Sequence, residues 1–384
     1  MKVSKKKKNQ WKQWLIMAFF AAIGGVCGLL LPSLTEQLLD ADAPAWLELL
    51  VLCGSLLLLY VAMFLQLVIH EAGHLVFGLL SGYRFSSFRI GSFMLLSQEG
   101  KFSVKILSLA GTAGQCLMSP PEMVDGTFPV VLYNLGGCIM NLAASAVLFL
   151  LYLLFPQAEG WQIFLLMGAL IGVAIALMNG IPLRLGTVDN DGYNALSLRK
   201  DPHAMRAFWL QLKVSQQTTL GIRLKDMPEE WFSLPGDEAM QNSMVAGIGV
   251  FACNRLMDQH KFREAGQLMA HILCIDSGMV GLHRNLLVCD RIYCELIHEN
   301  RPAVLSSLYT AEQKKFMQSM KNFPTVIRTE YAYALLADKD TAKANAHLNR
   351  MHKIAKTYPY PSDIHSELEL VEQAKLCAAA ISNP

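Results

Sequence analysis

Apolar positions along this chain gather into four long, nearly charge-free stretches: residues 15–31, 49–69, 130–155 and 161–183. Beyond His70 and Glu71 the second resumes its apolar pattern and runs to Leu80. About 20 mostly apolar residues carry a helix across a bilayer, so the pattern predicts four membrane spans. The first is the shortest. Its flank Lys5-Lys6-Lys7-Lys8 also fits a secretory signal, with Ala41, Ala43 and Ala45 near a candidate cleavage point, although the apolar run is longer than such signals use. Between the spans, Phe102, Val104 and Ile106 alternate with Ser103 and Lys105, the period of a strand. Residues 88–96 would be its partner across the turn Ser97-Gln98-Glu99-Gly100.

From about Arg199 the pattern changes to a helical period without further spans. Residues 244–257 and 262–274 read as a helix pair joined by Asp258-Gln259-His260-Lys261, and residues 325–337 with 341–358 repeat the arrangement. Paired helices with short polar turns suggest a small repeat array. The start Lys261-Phe262-Arg263-Glu264-Ala265 is similar to a tetratricopeptide repeat; an irregular helical domain is the alternative. The expected fold is therefore mainly α. A polytopic membrane core of about four spans carries a small β-hairpin, and a soluble all-α, helical-repeat-like domain follows. The expected divisions are a basic N-terminus, first span and outer loop (1–45), a membrane core (46–198) and a helical domain (199–384).

Composition sharpens this reading. Hydrophobic residues make up 53% and charged ones 17%, against about 25% charged in soluble globular chains, and a disordered chain needs the opposite balance. A net charge of +2 argues against a nucleic-acid partner. The nine cysteines form no Cys-x-x-Cys pair and read as reduced, mostly buried thiols. Lysine and arginine alternate across the loops. Lys2, Lys5 to Lys8 and Lys12 precede the first span, and the loop to residue 45 has no basic residue. Arg84, Arg89, Lys101 and Lys105 follow the second span, the loop at 156–160 has none, and Arg184, Arg199 and Lys200 follow the fourth. By the positive-inside rule both termini are expected in the cytoplasm.

The chemistry lies inside the second span. His70-Glu71-Ala72-Gly73-His74 is a His-Glu-x-x-His pattern. Four residues are close to one helical turn, so both imidazoles share a face and can chelate one Zn2+, with Glu71 beside them as a base. On insertion scales each ionisable group at mid-bilayer costs about 2.5–3.5 kcal/mol, so these three unpaired would approach ~10 kcal/mol. A metal ion that gathers them removes most of that cost; a proton relay or pore lining is the alternative. A catalytic zinc takes three protein ligands. No other histidine occurs before residue 199, so the third should be a carboxylate, from Asp189-Asn190-Asp191-Gly192.

These motifs resemble the site-2 proteases, a family of intramembrane zinc metalloproteases. The resemblance covers about residues 50–195. It rests on His70-Glu71-Ala72-Gly73-His74, then Gly137-Cys138-Ile139-Met140-Asn141, then Asn179-Gly180-Ile181-Pro182 with Asp191-Gly192. It implies His70, His74 and Asp191 as zinc ligands, Glu71 as catalytic base, and Asn141 and Asn179 as residues that help hold the substrate backbone or the oxyanion. The insertion at 183–190 and Asn190 before the Asp-Gly depart from the family pattern and keep Asp189 as an alternative ligand. The implied activity is endopeptidase cleavage of membrane-spanning or membrane-bound polypeptides near the cytoplasmic face. The lysine-rich flanks and the lack of transit features suit a multi-pass protein of a bacterial plasma membrane. The helical domain would take a cytoplasmic protein partner. The alternative from another class is a membrane-tethered helical scaffold whose zinc site is structural or vestigial.

Overall fold

A computed structural model describes residues 42–98, 100–107, 113–156, 159–182 and 189–382, with isolated positions before residue 42. Three of its helices are long and apolar enough to cross a membrane: α1 (Ala45–Leu80), α2 (Val131–Leu154) and α3 (Glu159–Gly180). That is fewer than the four spans expected; residues 15–31, the first of them, lie outside the described residues apart from isolated positions. The chain divides into two compact units. One comprises Met1–Phe77, Val131–Leu185 and Asn190–Ala195, the other Gly78–Val130, Gly186–Asp189 and Leu196–Pro384.

In the first unit the usual placement of side chains is inverted. Leu57, Leu150 and Trp161 are more than half exposed, whereas Gln66, His70, Glu71, His74, Asn134 and Asn141 are buried. Such a surface suits lipid rather than water, and a polar interior is what intramembrane polar residues require. The chain is thus membrane-associated. At 1.5 Å per residue, α1 with its 36 residues is ~54 Å long, well beyond the ~30 Å hydrocarbon core.

The second unit opens with four antiparallel strands, β1 (Arg84–Ile90), β2 (Phe93–Gln98), β3 (Lys101–Ile106) and β4 (Gly114–Ser119), in the order β3-β2-β1-β4. The expected hairpin is thus part of a larger sheet. Residues 88–96 are not one strand, because the chain turns at Gly91, whose φ of 59° is left-handed and suited to glycine. Apolar residues continue on both sides of that turn, so alternation alone hides it. Met94 and Leu96 pack with Ile327, Met351 and Ile364 of the helices that follow and with Tyr358 from the connection between two of them. The other face shows Phe93, Phe102 and Val104, each exposed.

After α4 (Asp191–Leu198), most of which belongs to the first unit, the helices of the second unit are α5 (Pro202–Thr219), α6 (Ser243–Asp258), α7 (Phe262–Cys274), α8 (Gly281–His298), α9 (Pro302–Leu308), α10 (Ala311–Ser319), α11 (Pro324–Leu336), α12 (Thr341–Ala355) and α13 (Pro361–Ser382). Four begin with proline, whose missing N–H is among the unbonded ones of a first turn. Both expected pairs are present, α6 with α7 and α11 with α12. Each connection contains a non-glycine residue at positive φ, His260 (58°) and Lys339 (54°). Asn242 accepts from Met244 N–H and Asp340 from Lys343 N–H, closing the open amides at two helix starts. A buried arginine ties three helices together. Arg328 of α11 bonds Asp290 of α8 and, at 2.8 Å, Glu367 of α13, and its guanidinium lies 4.4 Å from the Tyr293 ring.

Candidate metal centre

α1 brings His70 and His74 one turn apart, and Asp191 at the head of α4 completes the group. His70 Nε2 lies 3.1 Å and His74 Nε2 3.4 Å from Asp191 Oδ2, and the two Nε2 atoms are 3.3 Å apart. Donors of a tetrahedral ion with bonds of about 2.0–2.1 Å are spaced about 3.3–3.4 Å. The triangle therefore fits three corners of such a site.

Hydrogen bonds around the rings decide what those nitrogens carry. Asn141 Nδ2 donates to the Gln66 carbonyl and to Gln66 Oε1, both at 2.8 Å. Since a carbonyl can only accept, the amide must turn Oδ1 towards His70, whose Nδ1 donates to it at 2.7 Å. His74 Nδ1 likewise donates to the Tyr133 carbonyl at 2.7 Å. In the neutral rings both Nε2 atoms then present lone pairs, facing each other and a carboxylate oxygen. Three acceptors so close repel unless a cation lies between them. His70, His74 and Asp191 thus form a group that can hold a metal ion.

The surroundings are built to keep this geometry. A Cβ on Gly137 would lie 2.6–2.8 Å from three atoms of the His70 ring, so only glycine lets α2 support that imidazole. Asn190 Nδ2 donates to the Met178 and Ile181 carbonyls at 2.8 and 2.6 Å, while its Oδ1 accepts from Tyr193 N–H at 3.0 Å. It thereby fastens the start of α4 to the end of α3 beside Asp191. Gly192 allows this contact, since a Cβ there would come 2.0 Å from the Gly180 carbonyl oxygen.

Other sequence-derived candidates occupy distinct places. Glu71 is buried and lies within electrostatic range of His74. Both amide hydrogens of Asn141 are engaged with Gln66, which makes it an orienting partner of His70. Asn179 Nδ2 donates at 3.0 Å to the Ile175 carbonyl of its own helix. Asp189 accepts a hydrogen bond from Ser243 Oγ, and it is Asp191 whose carboxylate meets the two imidazoles. Comparison of the chain with protein-family models, curated proteins and solved structures finds no match.

The residue that sequence reasoning missed is Gln66. It lies one turn before His70, an amide within an apolar stretch, and that position was the available signal. Its Nε2 donates to the Gly168 carbonyl of α3 at 2.9 Å, which orients its Oε1 towards Asn141. A chain of four groups therefore runs from α3 to the metal-facing nitrogen of His70. Partners of metal-binding histidines are worth ~10–100-fold in affinity. Gln66→Leu is expected to weaken metal binding about tenfold or more by that measure, read by competition with a chromophoric chelator.

Proposed function

We propose that this chain is a zinc-dependent intramembrane endopeptidase of the site-2 protease type. The observation that carries the reading is the convergence of two imidazoles and one carboxylate, with a buried glutamate beside them, inside an apolar helical unit. When bound, zinc supplies Lewis acidity and lowers the pKa of a water to about 7. Glu71 takes a proton from the attacking water and returns it to the leaving amine nitrogen. Asn179, at the end of α3, is the amide we assign to the substrate backbone.

The substrate class is membrane-spanning or membrane-bound polypeptide, opened near the cytoplasmic face. A helix conceals its peptide bonds, so such a substrate must be extended before cleavage. β3 ends the sheet order and offers an edge on which an extended segment can pair. We read the chain as multi-pass with both termini cytoplasmic, from the alternation of basic loops, and as suited to a bacterial plasma membrane. The helices beyond residue 199 would form a repeat array that takes a cytoplasmic protein partner.

Two measurements test the reading. Full-length protein purified in detergent should bind one zinc per chain, keep it in Asp189→Ala and lose it in Asp191→Ala. The zinc-loaded protein should cleave a reconstituted membrane-spanning substrate, lose the activity to a chelator and regain it with added zinc. Zinc retained in Asp191→Ala would refute the ligand assignment. A loaded protein without peptidase activity would favour a scaffold with a structural metal.

A further inference from the structure

The second unit contains a cleft of about 310 Å³ that the peptidase reading does not use. It opens among α5, α6, α8, α11 and α13. Its lining carries four carboxylates, Asp258, Asp290, Asp363 and Glu367, against two cations, Arg223 and Arg328. Most of this charge is already matched. Arg328 bonds Asp290 and Glu367. Arg223 contacts Asp258 through Nε at 3.0 Å, and Ser366 donates to the same carboxylate at 2.6 Å. Asp363 is different. Among the described residues, no ion pair or hydrogen bond to its carboxylate is found.

A second group independently points to an absent partner. Ser362 lines the same cleft, is 7% exposed, and among the described residues its Oγ has no hydrogen-bond partner. Native interiors rarely leave a buried hydroxyl unmatched. Tyr358 and Tyr360 add aromatic surface next to these acceptors, and aromatic faces attract cations. Unmatched carboxylate, unmatched hydroxyl and aromatic wall together select one ligand chemistry.

We propose that this cleft binds an organic cation, an ammonium or guanidinium group on a short apolar stem. The ion would pair with Asp363, donate a hydrogen bond to Ser362 Oγ and lie against the tyrosines. The volume is at the lower end of the ~300–1,000 Å³ of small-molecule sites, enough for one basic side chain or a free amine of that size. Burial, with Glu367 and Asp258 adding to it, pushes the Asp363 carboxyl up to about 7. The site is independent of the metal centre and of the peptidase reading.

Calorimetric titration of the full-length protein in detergent tests this, with agmatine, a blocked Gly-Arg-Gly peptide and the same peptide with citrulline replacing arginine. The arginine-type probes should bind at least tenfold more tightly than the citrulline peptide. Asp363→Asn should abolish the difference, and Ser362→Ala should reduce it several-fold. Comparable binding of both small and peptide probes indicates a free amine as the natural ligand; a clear preference for the peptide indicates a basic polypeptide segment. Equal affinity for citrulline and arginine, no binding of any probe, or undiminished binding to Asp363→Asn would overturn the proposal. Folding is controlled in the same experiment. An acid whose folded pKa lies above its unfolded one loses stability as pH rises from about 4 to about 7. Asp363→Asn removes that loss, so its melting temperature at pH 8 should equal or exceed that of the parent chain.

Discussion

Glu71→Gln should keep one zinc per chain while peptide cleavage falls ~10²–10⁴-fold, the usual contribution of a positioned acid–base group. Glutamine preserves volume and hydrogen-bonding reach but has no basic oxygen. The ligand triangle of His70, His74 and Asp191 does not include Glu71, so the metal should remain. Stoichiometry by mass spectrometry and turnover on a reconstituted substrate separate the two effects. Undiminished turnover would remove Glu71 from the chemistry, and loss of zinc would place it among the ligands. A structural metal site needs no base, so under the scaffold reading the variant would be indistinguishable from the parent.

Arg328→Met carries the largest expected cost to stability. Arg328 is 1% exposed and holds Asp290 and Glu367, themselves buried, from two other helices. Removing one partner of a buried ion pair costs about 3–5 kcal/mol, because the other charge is left unmatched. Here two carboxylates are stranded, and the packing over Tyr293 is altered as well. Thermal unfolding of the full chain should show the second unit melting early. Replacing Asp290 and Glu367 with leucine in the same variant should recover much of the loss, since an apolar substitute for a complete buried network is often neutral. If the single variant melts with the parent, the network is not a tie between α8, α11 and α13.

How far the sequence could be read depended on the range of the interaction. His70 and His74 are set by helical spacing within one element, and the pairs α6–α7 and α11–α12 announce themselves through local periodicity and polar turns. Gly91 was missed because apolar alternation persists across it and only its backbone angle reveals the turn. Gln66 was missed for a different reason. Its meaning lies in the Gly168 carbonyl, far along the chain, and local patterning carries no record of that partner. Ser362 and Asp363 resemble an ordinary helix start until their surroundings are seen. The sheet's attachment through Met94 and Leu96 to Tyr358 is likewise a long-range fact.

The hydrogen-bond chain from Gly168 through Gln66 and Asn141 to His70 touches all three apolar helices. Its ring orientation therefore exists only while those helices are assembled. Ion retention and bundle assembly should be one cooperative event: conditions that separate α3 from α1 release the ion, and an ion already held resists their parting. Rates of ion escape in detergents of graded harshness would then measure how firmly the membrane helices grip one another.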